Sequence, residues 1–180
     1  MIEMKKVSLE ALFDKRAPQQ MVSESKAFKT VPKGVYRLRA TKYEATQDPK
    51  TDRVTIWFAV DILGPDGQRL AKTSLKISPD VGRNDKGNLD TQAKMYGQLV
   101  SALYSSATPE EQGQVTAAEL VQTFMQVPVD GFIALSFKGP IDPATGYPTW
   151  MNTNSEAEEV EARKQGFTAV NMVRSLQKAQ

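Results

Sequence analysis

The stretch from residue 34 to residue 63 reads GVYRLRATKYEATQDPKTDRVTIWFAVDIL and contains two runs in which apolar and polar side chains alternate. In the second run, residues 53–63, the apolar positions are Val54, Ile56, Phe58, Val60 and Ile62. In the first run, residues 34–46, one face carries Tyr36, Leu38 and Ala40. A period of two is typical of a strand that buries one face. The polar segment 47–52 is typical of a turn, so the stretch predicts a β-hairpin.

The other faces of the two runs combine basic and aromatic side chains. They carry Val35, Arg37, Arg39, Thr41 and Tyr43 in the first run, and Arg53, Thr55, Trp57, Ala59 and Asp61 in the second. Aromatic rings exposed on a sheet can stack on bases, while arginine and lysine neutralise phosphates. The hairpin therefore predicts a nucleic-acid-binding face.

A third strand is predicted directly after the hairpin. The sequence Gly64-Pro65-Asp66-Gly67 indicates a tight turn, because proline presets φ and glycine permits a positive φ. Residues 69–77 then alternate again, with Lys72 and Lys76 on the polar face. The division into one apolar and one basic face is thus repeated.

Two helices are predicted after this strand. Asp90 is a suitable N-cap for a helix that runs to about residue 105. Thr116 and Glu119 form a capping box for a second helix.

Strand alternation returns at residues 127–138 and 147–152. Ser155 and Glu158 then form a capping box that opens a charged helix, which Gly166 interrupts. Beyond it, apolar residues recur every three positions at Phe167, Val170, Val173 and Leu176. We expect this stripe to be helical and to pack on the core or on a partner.

The order of these elements predicts a mainly β fold with inserted helices (α+β). Its expected form is a five-stranded OB-like barrel with two helices after strand 3 and a C-terminal helix. An antiparallel α+β sheet with helices on one side is the alternative. The expected organisation is an N-terminal arm and linker at 1–30, an OB-like core domain at 31–153 and a C-terminal helical extension at 154–180.

Composition excludes several classes of function. The chain has no cysteine and no histidine, so disulfides, thiolate or imidazole metal sites and histidine-dependent triads are excluded. Most aspartates lie in evident turns, which argues against a metal-dependent nuclease. We therefore expect no enzyme, no metal and no cofactor. Without a membrane-length apolar stretch or a signal sequence, we expect a cytoplasmic protein that does not contact a membrane.

Seven residues form the candidate nucleic-acid-binding site: Arg37, Arg39, Tyr43, Arg53, Trp57, Lys72 and Lys76. The net charge of the chain is only +2. Lys33 to Lys86, however, contains eleven Lys or Arg against seven Asp or Glu. A purely structural explanation stays open, in which Trp57 packs under a helix and the arginines solvate the sheet. Tyr147 and Trp150 either extend the stacking surface or close the barrel, and we expect at least one to close it.

Residues 31 to about 152 resemble the bacteriophage-encoded single-stranded DNA-binding proteins of OB-fold type. The resemblance lies in a Pro32-x-Gly34-x-Tyr36 entry, a Trp57-Phe58-x-Val60-Asp61-Ile62-Leu63 strand, the turn at 64–67, a basic strand, a helix with Gln98-Leu99-x-x-Ala102-Leu103, and a Gly146-Tyr147-Pro148 hairpin. It implies sequence-independent binding of single-stranded DNA in phage replication or recombination, without catalysis and in the host cytoplasm. RNA is the alternative ligand.

A second hypothesis is a phage structural or adaptor protein that oligomerises through its terminal segments. In both cases the apolar stripe from Phe167 to Leu176 would support self-association through the C-terminal helix.

Overall fold

A curled antiparallel sheet forms a half-barrel around the hydrophobic core. The structure is a computed structural model that describes residues 5–18, residue 21 and residues 29–180. In this part of the chain it has six strands and four α-helices. The predicted mainly β, α+β class is therefore confirmed.

Among the described residues the sheet has six strands, and the first three agree closely with the predicted ranges. The six strands are β1 (Gly34–Gln47), β2 (Val54–Leu63), β3 (Arg69–Ile77), β4 (Val129–Ile141), β5 (Pro148–Met151) and β6 (Thr168–Gln177). The sheet runs β3-β2-β1-β4, and both β5 and β6 pair with β4. Every pairing is antiparallel. β1 and β5 share one edge of β4, because β1 pairs with its first residues and β5 with its last.

Hydrogen bonds between β3, β6 and the segment before β1 hold the sheet in its curl. The Thr73 hydroxyl of β3 donates to the carbonyl of Asn171 in β6 at 2.7 Å. The buried Asn171 side chain accepts from the Val31 N–H at 2.8 Å and donates to the Val31 carbonyl at 3.0 Å. Polar groups buried here are thus fully paired, as burial requires.

The helices lie between β3 and β6 in sequence: α1 (Thr91–Leu103), α2 (Pro109–Gly113), α3 (Ala117–Phe124) and α4 (Glu156–Lys164). Asp90 caps α1, and Thr116 with Glu119 forms the capping box of α3, as predicted. Ser155 caps α4. The short α2 is an addition to the two predicted helices.

The core fills the space between the concave face of the sheet and helices α1 and α3. Its largest fully buried side chains include Phe58, Phe124, Leu99 and Leu120. The Phe58 and Phe124 rings meet edge to face with their centroids 4.9 Å apart. This core covers the inner face of the sheet, which leaves the outer face of β1–β3 uncovered by helices.

The prediction of a C-terminal helix is wrong for residues 168–177, which form β6 and pair with β4 from Thr168 to Gln177. A bulge at Arg174 changes which alternate residues face inward, so the apolar residues imitate a period of three. Gly166, with φ of 86°, ends the preceding helix. The segment that was expected to mediate self-association as a helix is therefore a strand of the sheet.

The N-terminal arm contains a 3₁₀ turn at Glu10–Leu12. Its apolar side chains Val7, Leu9 and Phe13 are exposed. Residues 1–4, 19–20 and 22–28 of the predicted arm and linker at 1–30 lie outside the described residues. No helix in the described part of the chain is long and apolar enough to span a membrane.

Candidate nucleic-acid interface

The outer face of β1–β3 is arranged in rows that cross the strands. Residues directly opposite each other in an antiparallel pair share a face. Trp57 is flanked by Glu44 of β1 and Lys76 of β3. Further along, Asp61 is flanked by Arg39 and Lys72. Four of the seven predicted site residues therefore lie in two rows of this face, separated by the row of Ala59: Arg39, Trp57, Lys72 and Lys76.

Trp57, Lys72 and Lys76 have the properties needed to bind a single strand of nucleic acid, which are solvent exposure and free charge. Trp57 is partly exposed, and both Lys72 and Lys76 are exposed. Neither lysine takes part in the ion pairs found among the described residues. Part of the Trp57 side chain and the two cations are thus accessible on one side of the sheet.

Arg37 and Arg39 reach the same face but are paired with carboxylates. The Arg37 Nε donates to Asp130 at 2.7 Å, and an Arg39 Nη donates to Asp61 at 3.3 Å. Both aspartates are buried, whereas both arginines keep part of their side chains in solvent. The buried carboxylates fix the position of the guanidinium groups and offset part of their charge.

Arg53 does not belong to this face. Its guanidinium donates two hydrogen bonds to the Asp90 carboxylate, at 2.6 and 2.8 Å, and its Nε donates to the Ser78 hydroxyl at 3.2 Å. The hydrogen bonds from Arg53 and from the Ala93 N–H lower the pKa of Asp90, and the bond to Asp90 raises the pKa of Arg53. Arg53 thus anchors the N-terminus of α1 to the start of β2.

The loop between β3 and α1 closes tightly over this ion pair. A Cβ atom at Gly82 would collide with the Asp90 carboxylate and the Arg53 guanidinium. The Asp90 N–H donates to the Gly82 carbonyl at 2.8 Å. The Asp80 carboxylate accepts from the Val54 N–H at 2.7 Å. The loop between β3 and α1 is therefore held by hydrogen bonds at both ends.

Tyr43 lies on the opposite side of the sheet from Trp57. A bulge between Ala40 and Lys42 shifts the register of β1 by one residue, so Tyr43 stands opposite Phe58 on the core side. Lys42 takes its place on the outer face, opposite Ala59. Strict alternation could not reveal Lys42, because the extra residue is visible only once the strands are paired.

The β4–β5 hairpin carries two further exposed aromatic rings. Trp150 lies opposite Lys138 and is 49% exposed, while Tyr147 at the turn is 74% exposed. The expectation that at least one of them closes the barrel is wrong, since Met151 and Phe137 occupy the inner face there.

An open cleft of about 550 Å³ lies at the end of β2, where the arginines stand. Arg37, Arg39, Pro65 and Asp130 contribute to its walls. Among the described residues, no three acidic side chains converge in a way that could hold a metal ion.

Comparison of the chain with protein-family models, with curated proteins and with solved structures found no match.

Proposed function

We propose that this protein binds single-stranded DNA without sequence preference through the outer face of β1–β3. The observation that carries the proposal is the partly exposed Trp57 side chain opposite Lys76, with Lys72 four residues from Lys76 on the same face of β3. Stacking on aromatic rings and attraction between cations and phosphates are the two contributions that sequence-independent binding requires.

The strand order supports the finer proposal of an OB-type barrel. β1 lies between β2 and β4, the helices α1–α3 follow β3, and Thr73 of β3 bonds to Asn171 of β6. An OB barrel has five strands and binds oligonucleotides on the face of strands 2 and 3. In this proposal β1, β2, β3, β4 and β6 are the barrel strands, and β5 belongs to a side hairpin.

The proposed role is non-catalytic. A protein of this kind would coat single strands during phage DNA replication or recombination, in the cytoplasm of the host cell. The resemblance of residues 31–152 to phage single-stranded DNA-binding proteins implies this role, and the outer face of β1–β3 supports it.

Fluorescence anisotropy of labelled oligo-dT, measured at low salt against duplex DNA of equal length, tests the proposal. Wild-type protein should bind the single strand more tightly. Trp57→Ala should weaken binding by about 5- to 150-fold, which corresponds to the loss of roughly 1–3 kcal/mol of stacking. Trp57→Phe keeps an aromatic ring and should retain most of the affinity. Absence of any oligo-dT binding at low salt would refute the proposed function.

The N-terminal arm favours the second candidate, a structural or adaptor protein. Its exposed Val7, Leu9 and Phe13 offer an apolar contact for another chain. An oligomer that dissociates when residues 1–28 are removed, in a protein without affinity for DNA, would favour that candidate over single-strand binding.

A further inference from the structure

The chain contains two tryptophans, and both lie on the same face of the sheet. Trp57 shares the outer face with Arg39 and Arg37 through the pairing of β1 and β2. Arg37 stands opposite Asp130 of β4, so the even-numbered residues of β4 continue this face. Lys138 and its partner Trp150 therefore lie on it as well.

The hairpin that carries Trp150 is held rigidly. The Thr149 hydroxyl donates to the Pro140 carbonyl at 2.6 Å. The Asp142 N–H donates to the Tyr147 carbonyl, and the Gly146 N–H donates to the Asp142 carbonyl, both at 2.8 Å. A rigid hairpin presents its aromatic rings with little loss of conformational entropy on binding.

Cationic side chains connect the two tryptophans along the face. Lys42, Arg39 and Arg37 follow β1, where Arg39 is paired with Asp61, and Arg37 with Asp130 and the Gln180 carbonyl. Lys33 lies over the Phe132 ring at 5.7 Å from its centroid. Lys138 completes the series beside Trp150. The distance along the surface is about 50 Å, since about 15 residues at roughly 3.3 Å each separate the two rows.

We infer that the single-strand site continues from Trp57 along β1 to the β4–β5 hairpin, where Trp150 and Tyr147 form a second stacking platform for the same strand. This inference rests on the proposed function and adds its path and length. About 50 Å corresponds to roughly 15 nucleotides stacked at 3.4 Å, and to fewer in an extended strand. That length lies within the range of about 4–16 nucleotides known for a single OB fold.

Tryptophan fluorescence can follow each platform separately, because the chain has only two tryptophans. Trp150→Phe leaves Trp57 as the reporter, and Trp57→Phe leaves Trp150, while each variant keeps both aromatic rings. We expect an oligo-dT of about 5 nucleotides to quench mainly one reporter. An oligo-dT of about 20 nucleotides should quench both at the same protein-to-DNA ratio.

Affinity gives an independent readout. Trp150→Ala should weaken binding of the longer oligonucleotide by about 5- to 150-fold and should leave a strand confined to the Trp57 platform nearly unaffected. Lys138→Ala should reduce the salt dependence for the longer strand only, whereas Lys164→Ala on α4, which removes the same charge elsewhere, should not.

The outcomes separate this inference from the proposed function. If Trp57 responds to DNA and Trp150 stays silent with the longer strand, the second platform is refuted while single-strand binding stands. If neither reporter responds and no binding is measured, both fail.

Discussion

The two lysines of β3 provide the sharpest quantitative test of the proposed face. Lys72 stands opposite Asp61 and Lys76 stands opposite Trp57, and both are exposed without a carboxylate partner among the described residues. In contrast, Arg37 and Arg39 are already paired with carboxylates. We therefore expect Lys72 and Lys76 to contribute more to phosphate binding than Arg37 and Arg39.

The magnitude follows from counterion release. Each phosphate neutralised on a single strand adds about 0.7 to the slope of log affinity against log salt. The double variant Lys72→Ala/Lys76→Ala should flatten that slope by about 1.4. Between roughly 50 and 200 mM salt, the wild-type protein should then lose about sevenfold more affinity for oligo-dT than the variant loses.

The assay is a salt titration of labelled oligo-dT binding, with Lys94→Ala as the matched control. Lys94 is exposed on α1, which packs against the inner side of the sheet, so its removal changes net charge without changing the face. An unchanged slope in the double variant, or an equal change in the control, would refute the assignment of phosphate contacts to β3.

Three stability predictions follow from buried or paired groups, each checked by urea unfolding. Asp90→Asn keeps the N-cap but loses the charge that pairs with Arg53, so the free energy of unfolding should fall below that of the wild type. Because the pKa of Asp90 is lowered in the folded state, this difference should be full at neutral pH and should vanish as the pH falls through that pKa. A difference that does not depend on pH would contradict this. Asn171→Ala leaves both polar groups of Val31 unpaired and should cost roughly 1–3 kcal/mol for each, whereas a loss below about 0.5 kcal/mol would argue against the bonds that hold the curl. Phe124→Ala should cost about 3–5 kcal/mol, and a surface-like effect would contradict its place in the core.

Local sequence patterns were sufficient to predict the bounds of strands that bury one face along their length. The bounds predicted for β1, β2 and β3 agree with the structure to within one residue. The caps at Asp90 and Thr116 were equally readable, because a capping side chain bonds to a backbone group only two or three residues away.

Register and distant partners could not be read in the same way. The bulges after Ala40 and at Arg174 each add one residue to one strand. The side chains beyond each bulge therefore lie on the opposite face from the one that strict alternation predicts. The partner of Arg53 is 37 residues away, so its role as a clamp emerged only from the fold. Of the seven predicted residues, Tyr43 and Arg53 therefore lie away from the outer face, and Lys42 is added to it.

The charge balance of the face explains how a nearly neutral chain could hold a polyanion. Six cations and three carboxylates lie on the outer rows of β1–β3 and the start of β4: Arg37, Arg39, Lys42, Arg69, Lys72 and Lys76, with Glu44, Asp61 and Asp130. Two of the carboxylates are buried beneath arginines, so solvent meets mainly the positive groups. Coulomb attraction over a few ångströms is governed by these nearest exposed charges, since salt screens charges beyond about 8–10 Å. A net charge of +2 for the whole chain is thus compatible with a locally cationic track.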